Sequence, residues 1–165
     1  MSVTLRTANP DDEAFLHELY CSTRSEEISG WGWDASQQQA FLRLQFIAQR
    51  QHYEMAYEGA DHKIVLLEDR PAGRILVFRS EQEYVLVDIA LLPDQRGGGI
   101  GTALILKLLD EAKHAGKGVS LHVEKHNRAR KLYQRLGFET VGDSGVYFKM
   151  EWRPDPDETE IIENG

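Results

Sequence analysis

The sequence predicts a single mixed α/β domain, and three observations carry that prediction. Apolar runs with strand and helix periodicity alternate along 165 residues in the order β-α-α-β-β-β-α-β-α-β-β. A continuous apolar run at residues 84–92 leads through the glycine-rich stretch Gln95-Arg96-Gly97-Gly98-Gly99-Ile100-Gly101 into an amphipathic run beginning at Ile100. Hydrophobic residues make up 41% of the chain, enough for one ordinary core at this length. Residues 1–152 form the expected domain, and the acidic, proline-bearing residues 153–165 read as a disordered tail.

Residues 3–7 alternate as a short strand. Asn9-Pro10-Asp11-Asp12-Glu13 reads as a helix start, with a capping Asn, Pro at the first position and acids in the first turn. That helix carries Phe15, Leu16, Leu19 and Tyr20 on one face and is expected to end near Ser25. A loop with two glycines and two tryptophans follows, to Asp34. Asp34 or Ser36 then caps a long helix to about Tyr57. Strands are expected at 64–68 and 74–79, joined by a turn at 69–73 in which Gly73 can shift the register. The central strand 84–92 is stopped by Pro93. The helix from Ile100 places Ala103, Leu104, Leu108, Ala112 and Ala115 at helical spacing and ends at Gly116 and Gly118. A strand at 119–123, a short helix from Asn127 to Leu136 closed by Gly137, and a hairpin of 139–141 with 146–152 complete the order.

Composition narrows the function. A formal net charge of −8 disfavours a nucleic-acid partner, whose phosphates call for a basic face. No apolar stretch approaches the ~20 residues that cross a bilayer, so no membrane partner is expected. Cys21 is the only cysteine, which excludes an internal disulfide and suits a cytoplasmic setting. His122 and His126 stand four apart across a strand and a loop with no cysteine beside them, so no metal site is expected.

The glycine stretch carries the chemistry. A helix begins with about four backbone N–H groups that lack intrahelical partners, and its start bears a partial positive charge. Glycines in front of it let a ligand approach the main chain. The arrangement suits a phosphate or pyrophosphate. Spacing excludes two common phosphate loops. A G-x-G-x-x-G frame would need glycine at Thr102 or Leu104, and the only Gly-Lys pair, Gly116-Lys117, is followed by Gly118 with Glu111 where a Walker loop needs glycine.

The spacing present, Arg96-x-x-Gly99-x-Gly101, resembles the acyl-CoA loop of the GNAT acyltransferase superfamily. Further on, Asn127-Arg128-Ala129-Arg130-Lys131-Leu132-Tyr133-Gln134-Arg135-Leu136-Gly137-Phe138 is similar to a second GNAT motif in the right order. The resemblance covers roughly residues 63–152. It implies the GNAT fold: a mixed, mostly antiparallel sheet with a splayed central strand pair and helices on both faces. The splay is expected between 88–92 and 119–123.

The resemblance further implies an acyl-CoA-dependent N-acyltransferase that passes acetyl from acetyl-CoA to a primary amine by direct attack in a ternary complex. The alternative is a non-catalytic acyl-CoA sensor or regulatory protein. Amides of Arg96, Gly97, Gly98, Gly99, Ile100, Gly101 and Thr102 are expected to hold the pyrophosphate, with Gly98 standing where relatives often have a basic residue. Backbone groups of Ile89, Ala90 and Leu91 are expected at the acyl carbonyl and pantetheine. Asn127 is expected at the pantetheine arm or as a helix cap, and Ala129 and Arg130 along the coenzyme groove. Tyr133 is the expected general acid, because a phenol of pKa near ~10 keeps a proton that a thiolate of pKa near ~8.5 can take. Asp88 interrupts an apolar strand three residues before Leu91 and is the candidate base, with Glu26 and Glu27 as alternatives near the acceptor. Trp33, Gln45 and Tyr147 are candidates for the acceptor pocket, which would take a small-molecule or peptide amine. A homodimer is compatible with the family.

Overall fold

The computed structural model describes residues 2–155. The expected acidic tail lies outside the described residues from 156 onward. The elements are β1 (Val3–Thr7), α1 (Glu13–Ser29), α2 (Ala35–Ala56), β2 (Asp61–Leu67), β3 (Arg70–Arg79), β4 (Glu83–Leu91), α3 (Ile100–His114), β5 (Gly118–Glu124), α4 (Ala129–Arg135), β6 (Glu139–Asp143) and β7 (Tyr147–Trp152). This is the expected element order. The sheet has the strand order β1-β2-β3-β4-β5-β7-β6 and is mostly antiparallel, with one parallel pair, β4 and β5. The chain divides into two compact units. One comprises residues up to 77 together with 88–101, and the other 78–87 together with the residues from 102 on.

In the first unit, β1 pairs antiparallel with β2, from Val3 opposite Leu67 to Thr7 opposite Lys63. The turn after β1 is held by a capping box. Asn9 Oδ1 accepts from Asp11 N at 2.8 Å, and Asp12 Oδ2 accepts from Asn9 N at 2.8 Å. Arg6 Nη1 and Nη2 clasp the same Asp12 carboxylate at 2.8 and 2.7 Å.

Helix α1 runs four residues past its expected end. The residues from Ser25 on look like a loop, but the helix continues, and hydroxyls along its second half close on its own carbonyls: Ser22 Oγ donates to Leu19 O at 2.7 Å and Ser29 Oγ to Glu26 O at 2.8 Å. Ile28, fully buried, then joins Tyr20 and the α2 residues Leu42 and Phe46 in one cluster. Burial of Ile28 therefore overrides the local preference for a turn. Glu26 and Glu27 consequently sit on the last turns of α1 rather than in a loop. Asp34 caps α2, accepting from Gln37 N at 2.8 Å.

The β2–β3 turn is tighter than expected. Only Glu68 and Asp69 lie in it, with φ of 50° and 65°, and Leu67 faces Arg70. Two left-handed residues match the twist of the flanking strands. Pro71, Ala72 and Gly73 belong to β3 instead. The register does shift here, between Val65 and Leu66, which leaves Ala72 as the extra residue opposite them.

In the second unit, β5 lies between β4 and β7. It pairs parallel with β4 over Glu83–Val85 and antiparallel with β7 from Val119 opposite Trp152 to Glu124 opposite Tyr147. Leu104, Ile105, Leu108, Leu109 and Ala112 form the buried face of α3. Ala103 and Ala115, expected on that face, are exposed. Among the described residues no helix is long and apolar enough to cross a membrane.

The Arg6–Asp12 pair makes stability depend on acid pH. Hydrogen bonds from Arg6 lower the Asp12 pKa from 3.8 to about 2. A lowered carboxyl pKa stabilises the fold above the unfolded value, and that contribution disappears as pH falls through the folded value. Between pH 4 and 2 the melting temperature of the wild type should therefore fall more steeply than that of Asp12→Asn. Parallel melting curves across this range check it; equal slopes would contradict the pairing.

Candidate functional site

The end of β4 is fixed from two sides. Leu92 N donates to Ala72 O on β3 at 2.8 Å, and Arg96 Nε donates back to Leu91 O at 3.0 Å. Arg96 is thus a clasp across the turn that starts at Pro93. Gly73 allows β3 to come this close. A Cβ there would stand 2.2 Å from Ala90 O and 2.7 Å from Leu91 Cδ2.

Beyond the clasp the chain turns through left-handed residues. Gly97 and Gly99 have φ of 79° and 87°, a region that only glycine enters at little expense. A Cβ added at Gly97, Gly98 or Gly99 would meet nothing within 4 Å, so the loop's outer side is open. Among the described residues no protein acceptor takes the N–H groups of these three glycines. Helix α3 begins at Ile100, and its own first N–H groups have no intrahelical acceptors. A contiguous row of main-chain donors therefore points outward at the positive end of a helix. This is chemistry that a diphosphate fits and that no side chain needs to supply.

Asp88 does not stand alone on β4. Arg74 of β3 reaches it with Nε at 2.8 Å and Nη2 at 2.6 Å, both to Oδ2. Gln49 Oε1 on α2 accepts from Arg74 Nη2 at 3.0 Å, and the guanidinium lies 5.8 Å from the Tyr53 ring centroid. The sequence reading missed Arg74 and Gln49. The signal was there in part: Arg74 and Asp88 are opposite charges that interrupt two apolar strands joined by a short connection.

Of the acceptor candidates in this unit, Trp33 packs edge-on against Trp31 and Phe41 at 5.2 Å each, and 37% of it is exposed. Gln45 is half-buried on α2. Glu27 is paired with Arg24 at 3.0 Å, while Glu26 is exposed.

The second unit holds the other candidates. Asn127 Oδ1 accepts from Ala129 N at 2.9 Å, closing the turn that leads into α4 one residue before the N-cap position, Arg128. Tyr133 is buried on α4, with its ring 5.7 Å from Phe138 in an edge contact. Arg130 lies 5.0 Å from the Phe148 centroid, and Lys125 stands 4.9 Å from the same ring. Tyr147 opens β7 and is 43% exposed. Thr102 and its neighbours on α3 begin this unit, whereas the glycines belong to the first.

This is an α/β protein with a mixed sheet in which a strand, a glycine turn and a helix start present unpaired main-chain donors. The profile of the Acetyltransferase (GNAT) family matches residues 13–138, and the chain belongs to that family. It is 40% identical over 67 residues to the [ribosomal protein bS18]-alanine N-acetyltransferase of Haemophilus influenzae, a match covering 40% of this chain and 46% of that protein. It is 35% identical over 75 residues to the 5-NmdU N-acetyltransferase of Pseudomonas phage PaMx11, covering 42% of this chain and 52% of that protein. These matches span about half the length of either relative. The fold resembles the PaiA N-acetyltransferase of Thermoplasma acidophilum, solved in complex with coenzyme A, with a TM-score of 0.70 and 18% identity over 93% of this chain and 99% of that one.

The two kinds of glycine separate in a stability experiment. Gly73→Ala drives a methyl into the main chain of β4 and should destabilise by about 2–3 kcal/mol or more. Gly98→Ala meets open space and should stay within about ±0.5 kcal/mol. Denaturant unfolding of both variants measures the difference; a neutral Gly73→Ala would refute the close approach.

Proposed function

We propose that this protein is an acetyl-CoA-dependent N-acetyltransferase acting on a primary amine by direct attack in a ternary complex. The observation that carries the reading is the row of unconsumed main-chain donors at Gly97–Gly99 and the start of α3, in a chain of the GNAT family. These donors hold the coenzyme's diphosphate, and Arg96 keeps the loop in shape through Leu91 O. Bound acetyl-CoA supplies a thioester acyl group and a thiol leaving group.

The remaining roles belong to the chain's own residues. Backbone groups of Ile89, Ala90 and Leu91 orient the acyl carbonyl and the pantetheine. Tyr133 holds the proton that the departing sulfur takes, and Asn127, Ala129 and Arg130 line the coenzyme's path. Asp88 receives the amine's proton. Its Oδ2 is already shared between two donors of Arg74, so it is a committed carboxylate. An α-amine with pKa ~7.7–8.0 is partly unprotonated at neutral pH and asks less of such a base than a lysine near ~10.4. This favours a peptide α-amine or a small amine of similar basicity. Glu26, Trp33, Gln45 and Tyr147 are the side chains assigned to its selection, in a cytoplasmic setting.

Acetyl-CoA at about a hundredfold excess over its dissociation constant should add ~2.7 kcal/mol of stability. At ~2–4 °C per kcal/mol, the melting temperature should rise by several degrees. Absence of a shift with acetyl-CoA and with longer acyl-CoAs would remove the reading. In a turnover assay with a panel of α-amines, Tyr133→Phe should lower kcat by about 10²-fold or more while leaving the KM for acetyl-CoA near its wild-type value. Full turnover in that variant would place the acid elsewhere.

A further inference from the structure

A cavity of about 770 Å³ lies within the first unit, between the start of α1, the C-terminal half of α2 and the β2–β3 hairpin. That is within the ~300–1,000 Å³ of small-molecule sites. Gly97–Gly101 and residues 89–91 do not line it, so it is separate from the coenzyme loop. One wall is apolar and aromatic: Phe46, Leu76 and the rings of Tyr53 and Tyr57, whose centroids are 6.3 Å apart. The polar part of the lining includes Arg74, Gln49 and His62, with Arg50, Glu13, Glu54 and Glu58.

The donor inventory of that polar wall is incomplete on the protein side. A guanidinium has five N–H donors. Arg74 gives Nε and Nη2 to Asp88, and Nη2 also to Gln49 Oε1. Among the described residues Nη1 has no acceptor, and neither does the Gln49 amide nitrogen. Neither atom is among the buried side-chain atoms without a partner, so both open to the outside of the protein. Both donor groups belong to one hydrogen-bonded pair, because Gln49 Oε1 is held by Arg74 Nη2 at 3.0 Å.

His62, also in the lining, adds no charge to it. Burial, and then the nearby Arg74, hold its pKa at about 4, so at neutral pH the imidazole is uncharged. Of the two arginines that line the cavity, Arg50 pairs with Glu13, also in the lining, at 3.2 Å and Arg74 pairs with Asp88 at 2.6 Å, so the case for an anion rests on the unmet Arg74 Nη1 donors and not on net charge. Glu54 and Glu58 also line the cavity, but both are exposed to solvent. A cationic ligand would place its charge against a guanidinium and leave the donors unmet.

We propose that this cavity binds a small aromatic carboxylate, with its carboxylate on Arg74 Nη1 and the Gln49 amide and its ring against Tyr53 and Tyr57. Charged acceptors make the stronger hydrogen bonds to a guanidinium, and tyrosine faces supply a flat apolar surface. The site stands whether or not the chain transfers acetyl groups, because its test reads binding alone.

The probe is benzoate, with benzylamine and benzyl alcohol as matched controls, titrated into the full chain while histidine ring resonances are followed by NMR. Benzoate should shift the His62 resonances saturably at millimolar concentrations, and the two controls should not. Arg74→Met leaves Asp88 unpaired and risks the fold, so Gln49→Leu and Tyr57→Ala are the informative variants. Each should weaken benzoate binding about tenfold, the loss of one modest contact, while melting within a few degrees of wild type. No saturable shift with benzoate overturns the proposal. So does equal binding of benzylamine, which would assign recognition to Glu54 and Glu58. Benzoate binding unchanged in both variants overturns it as well.

Discussion

Hydrogen-bond accounting at the end of β4 is the constraint on which the rest of this structure depends. A strand that stops must leave its last main-chain groups to something else. Here Ala72 O takes the N–H of Leu92, and Arg96 supplies a donor to Leu91 O. With the strand end satisfied from both sides, the glycines that follow are under no demand to fold back, and their N–H groups are left over at the start of α3. The bulge at Ala72 and the missing side chain at Gly73 serve the same end. They bring β3 against Ala90 and Leu91 at a separation that no other residue permits. The row of free main-chain donors is thus a consequence of how one strand terminates, not a separately built pocket.

The second constraint is electrostatic. Asp88 on β4 and Arg74 on β3 are only 27% and 12% exposed at their side chains. Two charges so placed are tolerable because they share hydrogen bonds, and because Gln49 Oε1 takes a further donor of the guanidinium, which lies 5.8 Å from the Tyr53 ring centroid. Removing either partner would leave the other buried and uncompensated. Arg74 therefore does two things with one side chain: it fixes the orientation of Asp88, and it forms the polar wall of the cavity beneath α2. A ligand on its Nη1 edge would act one residue away from the candidate base.

The sequence made much of this legible, for physical reasons that differ by element. The element order and the β4–turn–α3 passage were readable because periodicity and glycine are local signals. The Asn9 cap and the Asp34 cap were readable for the same reason. What failed was decided by tertiary contact. Ile28 extends α1 beyond the polar run because it is buried against Leu42 and Phe46, and nothing within Ser25–Glu27 announces that. The β2–β3 turn fell at Glu68-Asp69 rather than at Pro71-Ala72-Gly73, since the bulge absorbed the proline and glycine into β3. The partner of Asp88 was invisible for a related reason. A single strand shows that a charge interrupts it, but only pairing across the sheet shows which opposite charge it meets.

These two kinds of legibility map onto two kinds of recognition. In the proposed reading, coenzyme binding falls to main-chain atoms, whose availability depends on turn geometry and on the absence of side chains. Such a site leaves a compositional mark, and Gly97 through Gly101 carry it. The proposed recognition of an acceptor, or of a ligand in the α2 cavity, would rest on side chains gathered from distant elements: Gln49 from α2, Arg74 from β3, Trp33 from the turn between helices. Each of those residues is ordinary in its own segment and acquires meaning only from its neighbours in space. On that reading a diphosphate grip would stay constant while acceptor preference changed through single side-chain substitutions, because none of the side chains assigned to the acceptor holds the strand end that leaves the donors free.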